Sequence, residues 1–173
     1  FAPHKFGGLT GSGCLIKRKK TVLTPLIHGG ESSSIYRSGS VPLGIVASIE
    51  KALSLAYSKM DENYQKVSII NKYLIDKIKD NKKIKINSFS NPYIVNLSIE
   101  NVLGRIAVDY LNTHHICVSQ KSACSIKNTP SKIIMAIYKD KKRASSSFRL
   151  SLSELVTFEE IDYLVKVLKE LTK

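Results

Sequence analysis

Leu43, Val46, Ile49, Leu53, Ala56, Tyr57 and Met60 recur at three- and four-residue intervals, which puts them on one side of a helix. Pro42 suits the first turn of that helix, where its missing N–H costs nothing, so the spacing predicts a helix from about Pro42 to Met60. Tyr64, Val67, Ile70, Leu74 and Ile78 continue the pattern and predict a second helix from Glu62 to Lys79, with Asn81 placed to end it. Short apolar runs at Ile84 to Ile86 and Ile94 to Ile99 read as strands, and Asn91-Pro92 supplies the turn between them. A helix from Leu103 to about Thr113 would turn Ile106, Ala107, Tyr110 and Leu111 inward, and a short strand is expected at Ile116 to Val118. After Pro130, Ile133, Ile134 and Ile137 predict a short helix, and Ser147-Phe148-Arg149-Leu150-Ser151-Leu152 alternates as a strand. In the last segment Thr157 and Glu160 have capping-box spacing, and Phe158, Ile161, Leu164, Val165, Leu168 and Leu171 form an amphipathic stripe.

The stretch before Pro42 has no such periodicity. Gly7 to Gly13 is glycine-rich and runs into Cys14-Leu15-Ile16, which reads as a loop followed by a strand. It lacks the Gly-Lys-Ser/Thr ending of a phosphate-binding P-loop, and no helix follows it as a dinucleotide fingerprint requires. His28 to Ser40, with its serines and glycines, reads as a long loop. The order strand, loop, two helices, two strands and then alternating helices and strands predicts an α/β or α+β fold.

Composition narrows this picture. The 173 residues suffice for one ordinary domain, or one domain and a piece of another. No apolar run approaches the ~20 residues that span a bilayer. The chain opens on Phe1 without an initiator methionine or an apolar leader, and is expected to begin inside a larger protein. Cys14, Cys117 and Cys124 show no C-x-x-C spacing, which argues against a disulfide framework or a zinc site and favours a reducing cytoplasm. The net charge of +13 would permit contact with nucleic acid, a membrane surface or an acidic protein partner, and establishes none of them. Zinc-ligand and RNA-motif signatures are missing, however, and no aromatic cluster is spaced for base stacking, so a nucleic-acid module is disfavoured. His114-His115 reads as a helix end, since adjacent residues do not face one way as metal ligands must.

The candidate for chemistry is Cys124, set among small residues in Val118 to Ser125 with Lys121 and Lys127 close by in sequence. A thiol reacts as thiolate, which nearby positive charge favours. Cys14 and Cys117, each on an expected apolar strand, should react slowly.

Five separated stretches then share one pattern: His4-Lys5, His28-Gly29-Gly30, Arg37-Ser38-Gly39-Ser40, Ser122-Ala123-Cys124-Ser125 and Ser147 to Leu152. In order and approximate spacing they resemble the cysteine desulfurases, pyridoxal-phosphate enzymes of the class V aminotransferase type. The resemblance runs over the whole chain but only over the C-terminal half of the family's. It implies the connecting helix and the small C-terminal domain of a pyridoxal-phosphate-dependent transferase fold, with helices on a small mixed or antiparallel sheet, in residues 42–173. Residues 1–41 would be the last edge of the large cofactor-binding domain, poorly supported unless another surface covers them.

By the same resemblance, Lys5 is the lysine that holds pyridoxal 5'-phosphate covalently, His4 helps to hold the cofactor phosphate, and Ser40 reaches the phosphate of a neighbouring subunit, which implies a homodimer. Arg149 is the clamp on the carboxylate of L-cysteine, a task its planar fork suits. Cys124 takes up the sulfur as a persulfide and passes it to an acceptor or iron-sulfur scaffold protein. The chain departs from the family at Ala2, Ser32, Ser33, Gln120 and Lys121, which leaves a diverged class V enzyme with another amino-acid substrate, or a non-catalytic fragment, as the alternative. The family's ring-stacking histidine and the aspartate that pairs with the pyridine nitrogen have no counterpart here, so this chain alone is expected to be inactive.

Overall fold

The computed structural model describes residues 1–30, 34–120 and 129–173, which form two compact units, Phe1–Met60 and Asp61–Lys173. The first unit contains a 3-10 turn, Pro3–Phe6, and one long helix, α1 (Leu43–Ser58), with Pro42 at its N-cap. Only Ala52 of α1 is buried, and apolar side chains stand in the open along the whole unit: Leu15 is 80%, Val22 91% and Leu26 92% exposed. The strand expected at Cys14-Leu15-Ile16 is not formed, since its backbone has no neighbouring strand to pair with; Phe1 and Cys14 merely exchange both backbone hydrogen bonds, at 2.7 and 2.9 Å.

The second unit is built on three antiparallel strands, β1 (Ile84–Ile86), β2 (Ile94–Ile99) and β3 (Ser147–Ser151), in that spatial order. Ile84 stands opposite Ile99, and Leu97 opposite Phe148, so the alternation of each strand lays Ile84, Ile86, Val95, Leu97, Ile99, Phe148 and Leu150 on one face. That face is the core, joined by Val67, Ile70, Leu74 and Ile78 of α2 (Met60–Ile78), by Ala107 and Leu111 of α3 (Gly104–Thr113), and by Ile161, Leu164, Val165 and Leu168 of the C-terminal helix. Tyr64, Ile106 and Phe158, expected on the inward faces of their helices, are instead 47%, 48% and 44% exposed, at the margin of the apolar stripe. Phe158 nevertheless packs edge-on to Tyr73, with ring centroids 4.9 Å apart.

Local signals set the element ends. Thr157 and Glu160 form the reciprocal capping box that starts the last helix. Gly104 opens α3 where a Cβ would sit 2.3 Å from the Ser147 carbonyl oxygen, so only glycine lets α3 lie this close to β3. The helix after Pro130 is α4 (Lys132–Tyr138), capped by Ser131. The basic run behind it, which no periodicity marks, folds as a five-residue helix, α5 (Lys141–Ser145), because the Asp140 side chain caps it by accepting from Arg143 N–H at 3.0 Å. The last helix is then α6 (Phe158–Leu171). Across α2 and α6, Asp162 accepts from Tyr73 and pairs with Lys77 at 3.0 Å, and the Lys77 and Tyr73 hydrogen bonds hold its carboxyl below the usual carboxylate range.

Candidate functional site

The opposite face of the sheet is polar. Register puts Lys85 beside Ser98, Ser98 beside Ser147 and Asn96 beside Arg149, all turned away from the core. Helix α5 covers part of this face, where the Ser98 hydroxyl donates to the Arg143 carbonyl at 2.8 Å.

Arg149 is the sequence candidate on this face. Its backbone N–H donates to Ser119 at 2.7 Å and its carbonyl accepts from Ser119 at 3.0 Å, an isolated antiparallel bridge. This bridge is all that forms of the strand expected at Ile116 to Val118. On the other side, the Asn96 backbone spends both groups toward β1: its carbonyl accepts from Asn87 N–H at 2.8 Å and its N–H donates to the Ser88 hydroxyl at 3.1 Å. Asn96 and Arg149 therefore meet as a non-hydrogen-bonded pair, the narrow kind in which Cα atoms stand about 4.5 Å apart and side chains come closest. Ser119, Arg149 and Asn96 thus form one polar row across three segments.

The Arg149 side chain is half-buried, its Nε is shielded from solvent, and among the described residues that atom has no hydrogen-bond partner. A buried guanidinium N–H left unpaired costs on the order of 1–3 kcal/mol or more, which makes this donor a candidate for an acceptor that the described residues do not supply. An ordinary surface arginine on an exposed strand would not be shielded in this way.

Behind the row lies a polar network. Arg143 Nε donates to Asn87 Oδ1 at 2.6 Å and its Nη2 to the Ile86 carbonyl at 3.0 Å, while its guanidinium stacks 3.5 Å from the Tyr138 ring centre. Asn87, 3% exposed, donates in turn to Asn96 Oδ1 and the Ser98 hydroxyl, each at 2.8 Å. Sequence reading missed Asn87, Asn96 and Arg143. The alternation of Asn96 and Ser98 with apolar neighbours was a signal that they share a face, but pairing with Arg149 depends on a register that appears only in three dimensions.

His4 and Lys5 stand together on the 3-10 turn, both exposed. The chain fixes this turn locally. Pro3 supplies its first position, Gly7 closes it at φ +96°, and Gly8 returns so close that a Cβ there would lie 2.7 Å from the Pro3 Cβ. Ser40 ends an exposed loop held by the Ile27–Arg37 bridge and by the Ser38 hydroxyl, which donates to the His28 carbonyl at 3.0 Å. Arg149 belongs to the other unit. Cys124 lies outside the described residues, as do Ser32, Ser33 and Lys121; Cys117, expected to be shielded on a strand, is exposed because no strand forms there.

Among the described residues, no helix is long and apolar enough to cross a membrane, and no group of three His, Cys, Asp or Glu could hold a metal ion.

The model of the family described as aminotransferase class-V matches residues 1–164. The chain is 31% identical to the cysteine desulfurase IscS of Dictyoglomus turgidum over 97% of its own length and 44% of that protein's. It is 31% identical to the cysteine desulfurase IscS of Psychromonas ingrahamii over 98% of its own length and 43% of that protein's. A solved structure described as a NifS-like protein superposes with a TM-score of 0.83 at 26% identity, over 99% of this chain and 44% of that one. The chain thus spans less than half the length of the relatives it matches.

Proposed function

Since this chain belongs to the aminotransferase class-V family, we propose that the complete protein is a pyridoxal-phosphate-dependent cysteine desulfurase and that the chain carries its substrate clamp and sulfur carrier. The Ser119–Arg149 backbone bridge carries this reading. Only five residue steps separate Ser119 from Cys124, and a chain of that length reaches at most about 18 Å. That bound leaves room for both side chains to serve one substrate, which is the role assigned to them in this reading.

The residues present fit the cofactor chemistry. Lys5 offers a primary amine on an exposed turn with an imidazole beside it, and Arg149 offers a shielded guanidinium N–H that lacks an acceptor. When bound, pyridoxal phosphate supplies the electron sink for breaking bonds at the substrate's α and β carbons. Lys5 would hold the cofactor, and His4 and Ser40 would contact its phosphate, Ser40 in the neighbouring subunit of a homodimer. Arg149 would fix the carboxylate of L-cysteine through paired N–H donors. The Cys124 thiolate would bond to the substrate sulfur as the substrate's carbon–sulfur bond breaks, becoming a persulfide that an acceptor or iron-sulfur scaffold protein collects. Residues 1–41 would then close the edge of the cofactor domain, residues 42–173 would form the small domain, and the protein would act in the cytoplasm.

The test uses the complete protein. Cys124→Ser should abolish transferable sulfur while leaving the absorbance of the bound cofactor intact. Sulfur transfer that survives the substitution removes Cys124 from the reaction; cofactor binding without any sulfur release from cysteine by the wild type points to another amino-acid substrate.

A further inference from the structure

Asn96 has no role in the function just proposed, yet it is the side chain set directly against Arg149. Its amide direction follows from the network behind it. Arg143 has only donors, so its 2.6 Å contact fixes the Asn87 oxygen toward the guanidinium. Asn87 must then present its NH2 to Asn96, which fixes the Asn96 oxygen toward β1 at 2.8 Å. The Asn96 NH2 is left on the side away from β1, where Arg149 stands, and it donates to no described residue there. On this face, then, the Asn96 amide stands opposite Arg149, and among the described residues neither its NH2 nor the Arg149 Nε–H has an acceptor. A neutral and a cationic donor on neighbouring strands, with no acceptor for either among the described residues, suit an anion with two oxygens.

We propose that Asn96 is a substrate-binding residue whose NH2 shares the carboxylate of the substrate amino acid with Arg149, and that Arg143 is a positioning residue that sets the direction of this amide through Asn87. The inference rests on the reading of Arg149 as the carboxylate clamp. It explains why a sheet face that α5 only partly covers carries a three-residue relay ending beside the arginine. An asparagine needed for packing alone would require only its oxygen, which Asn87 already occupies.

Two substitutions separate binding from structure. Asn96→Asp keeps the shape and the oxygen that accepts from Asn87, but replaces the NH2 with a second acceptor and places a negative charge beside Arg149. Asn96→Ala removes both ends. If Asn96 is merely structural, the aspartate should be the milder change. If it binds carboxylate, the aspartate should be the worse, since it repels the substrate and occupies the arginine. In the complete protein, Asn96→Ala should raise the KM for L-cysteine about tenfold, the loss of one charge-assisted hydrogen bond, with kcat nearly unchanged. Asn96→Asp should raise it further. Competition by cysteamine, which lacks the carboxylate, should be the same in wild type and Asn96→Ala. Wild-type KM in both variants, or an aspartate milder than the alanine, overturns the role of Asn96 and leaves the proposed desulfurase standing. A complete wild-type protein that releases no sulfur from cysteine overturns that reading and this inference with it.

Discussion

Removing the Arg143 guanidinium should destabilise the Asp61–Lys173 unit by an amount that its contacts allow to be stated. Arg143→Met keeps a straight apolar stem of similar reach but deletes the hydrogen bonds to Asn87 Oδ1 and the Ile86 carbonyl, at 2.6 and 3.0 Å, and the stacking on Tyr138. A net hydrogen bond to a charged group contributes about 1.5–3 kcal/mol, but Arg143 is half-buried, and water can partly replace it at the Ile86 carbonyl. Asn87 is different: at 3% exposure its oxygen cannot be hydrated without local opening, so leaving it unpaired costs about 1–3 kcal/mol. With a cation–π contribution of about 0.5–1 kcal/mol at a partly exposed site, the expected loss is about 2–4 kcal/mol. At a urea dependence of about 2 kcal/mol per M, that lowers the unfolding midpoint by about 1–2 M. Arg143→Lys should lose less, since an ammonium keeps the charge over the Tyr138 ring but cannot reach both oxygens in one fork. The measurement is urea unfolding of the chain followed by far-ultraviolet circular dichroism. A midpoint for Arg143→Met equal to that of wild type would show that Asn87 finds another donor, and the relay argument for Asn96 would fail with it.

In the complete protein, Arg149→Lys keeps the charge but not the fork, and should weaken L-cysteine binding by about 1.5–3 kcal/mol while the cofactor stays bound; an unchanged KM for cysteine would remove Arg149 as the clamp. Gly104→Ala should destabilise the chain by about 1–3 kcal/mol or more in the same urea assay, because the new methyl would meet the Ser147 carbonyl oxygen, 2.3 Å from its Cβ, unless α3 withdraws from β3; a variant as stable as wild type would mean that α3 shifts freely.

What the sequence showed best were elements that carry their own signal. The three-four spacing of Val67, Ile70, Leu74 and Ile78, and the Thr157–Glu160 capping box, each specify a helix from within one short stretch. The strands at Ile84–Ile86, Ile94–Ile99 and Ser147–Ser151 were also legible, because one face of each is buried and the alternation survives. Cys14-Leu15-Ile16 and Ile116 to Val118 have strand-like composition but gain no ladder of neighbours, and composition cannot supply a partner. Helix α5 was hidden because its five residues are too few to show a period, and its cause is a single cap at Asp140. Of the candidate residues, Lys5 and Arg149 were named through the resemblance, whereas Asn96 becomes visible only when register sets it beside Arg149.

The two units stand on different physical footing, and the difference bears on where catalysis would be made or lost. Among the described residues, Asp61–Lys173 buries eighteen apolar side chains in one continuous cluster, so Arg149 and its neighbours rest on a scaffold that supports itself. Phe1–Met60 buries few, and its turn at Pro3–Phe6 is held by local devices: a proline start, a glycine close, and the Phe1–Cys14 backbone pair. Those devices fix the backbone that carries Lys5 but provide no apolar shelter around its amine. Leu15, Ile16, Val22 and Leu26, each 80% exposed or more, leave apolar surface open on the same unit, and at about 25 cal/mol per Å2 its burial would be a sizeable gain for whatever packs there. The backbone that carries Arg149 is thus supported by its own unit's packing, while the turn that carries Lys5 is set by local devices alone.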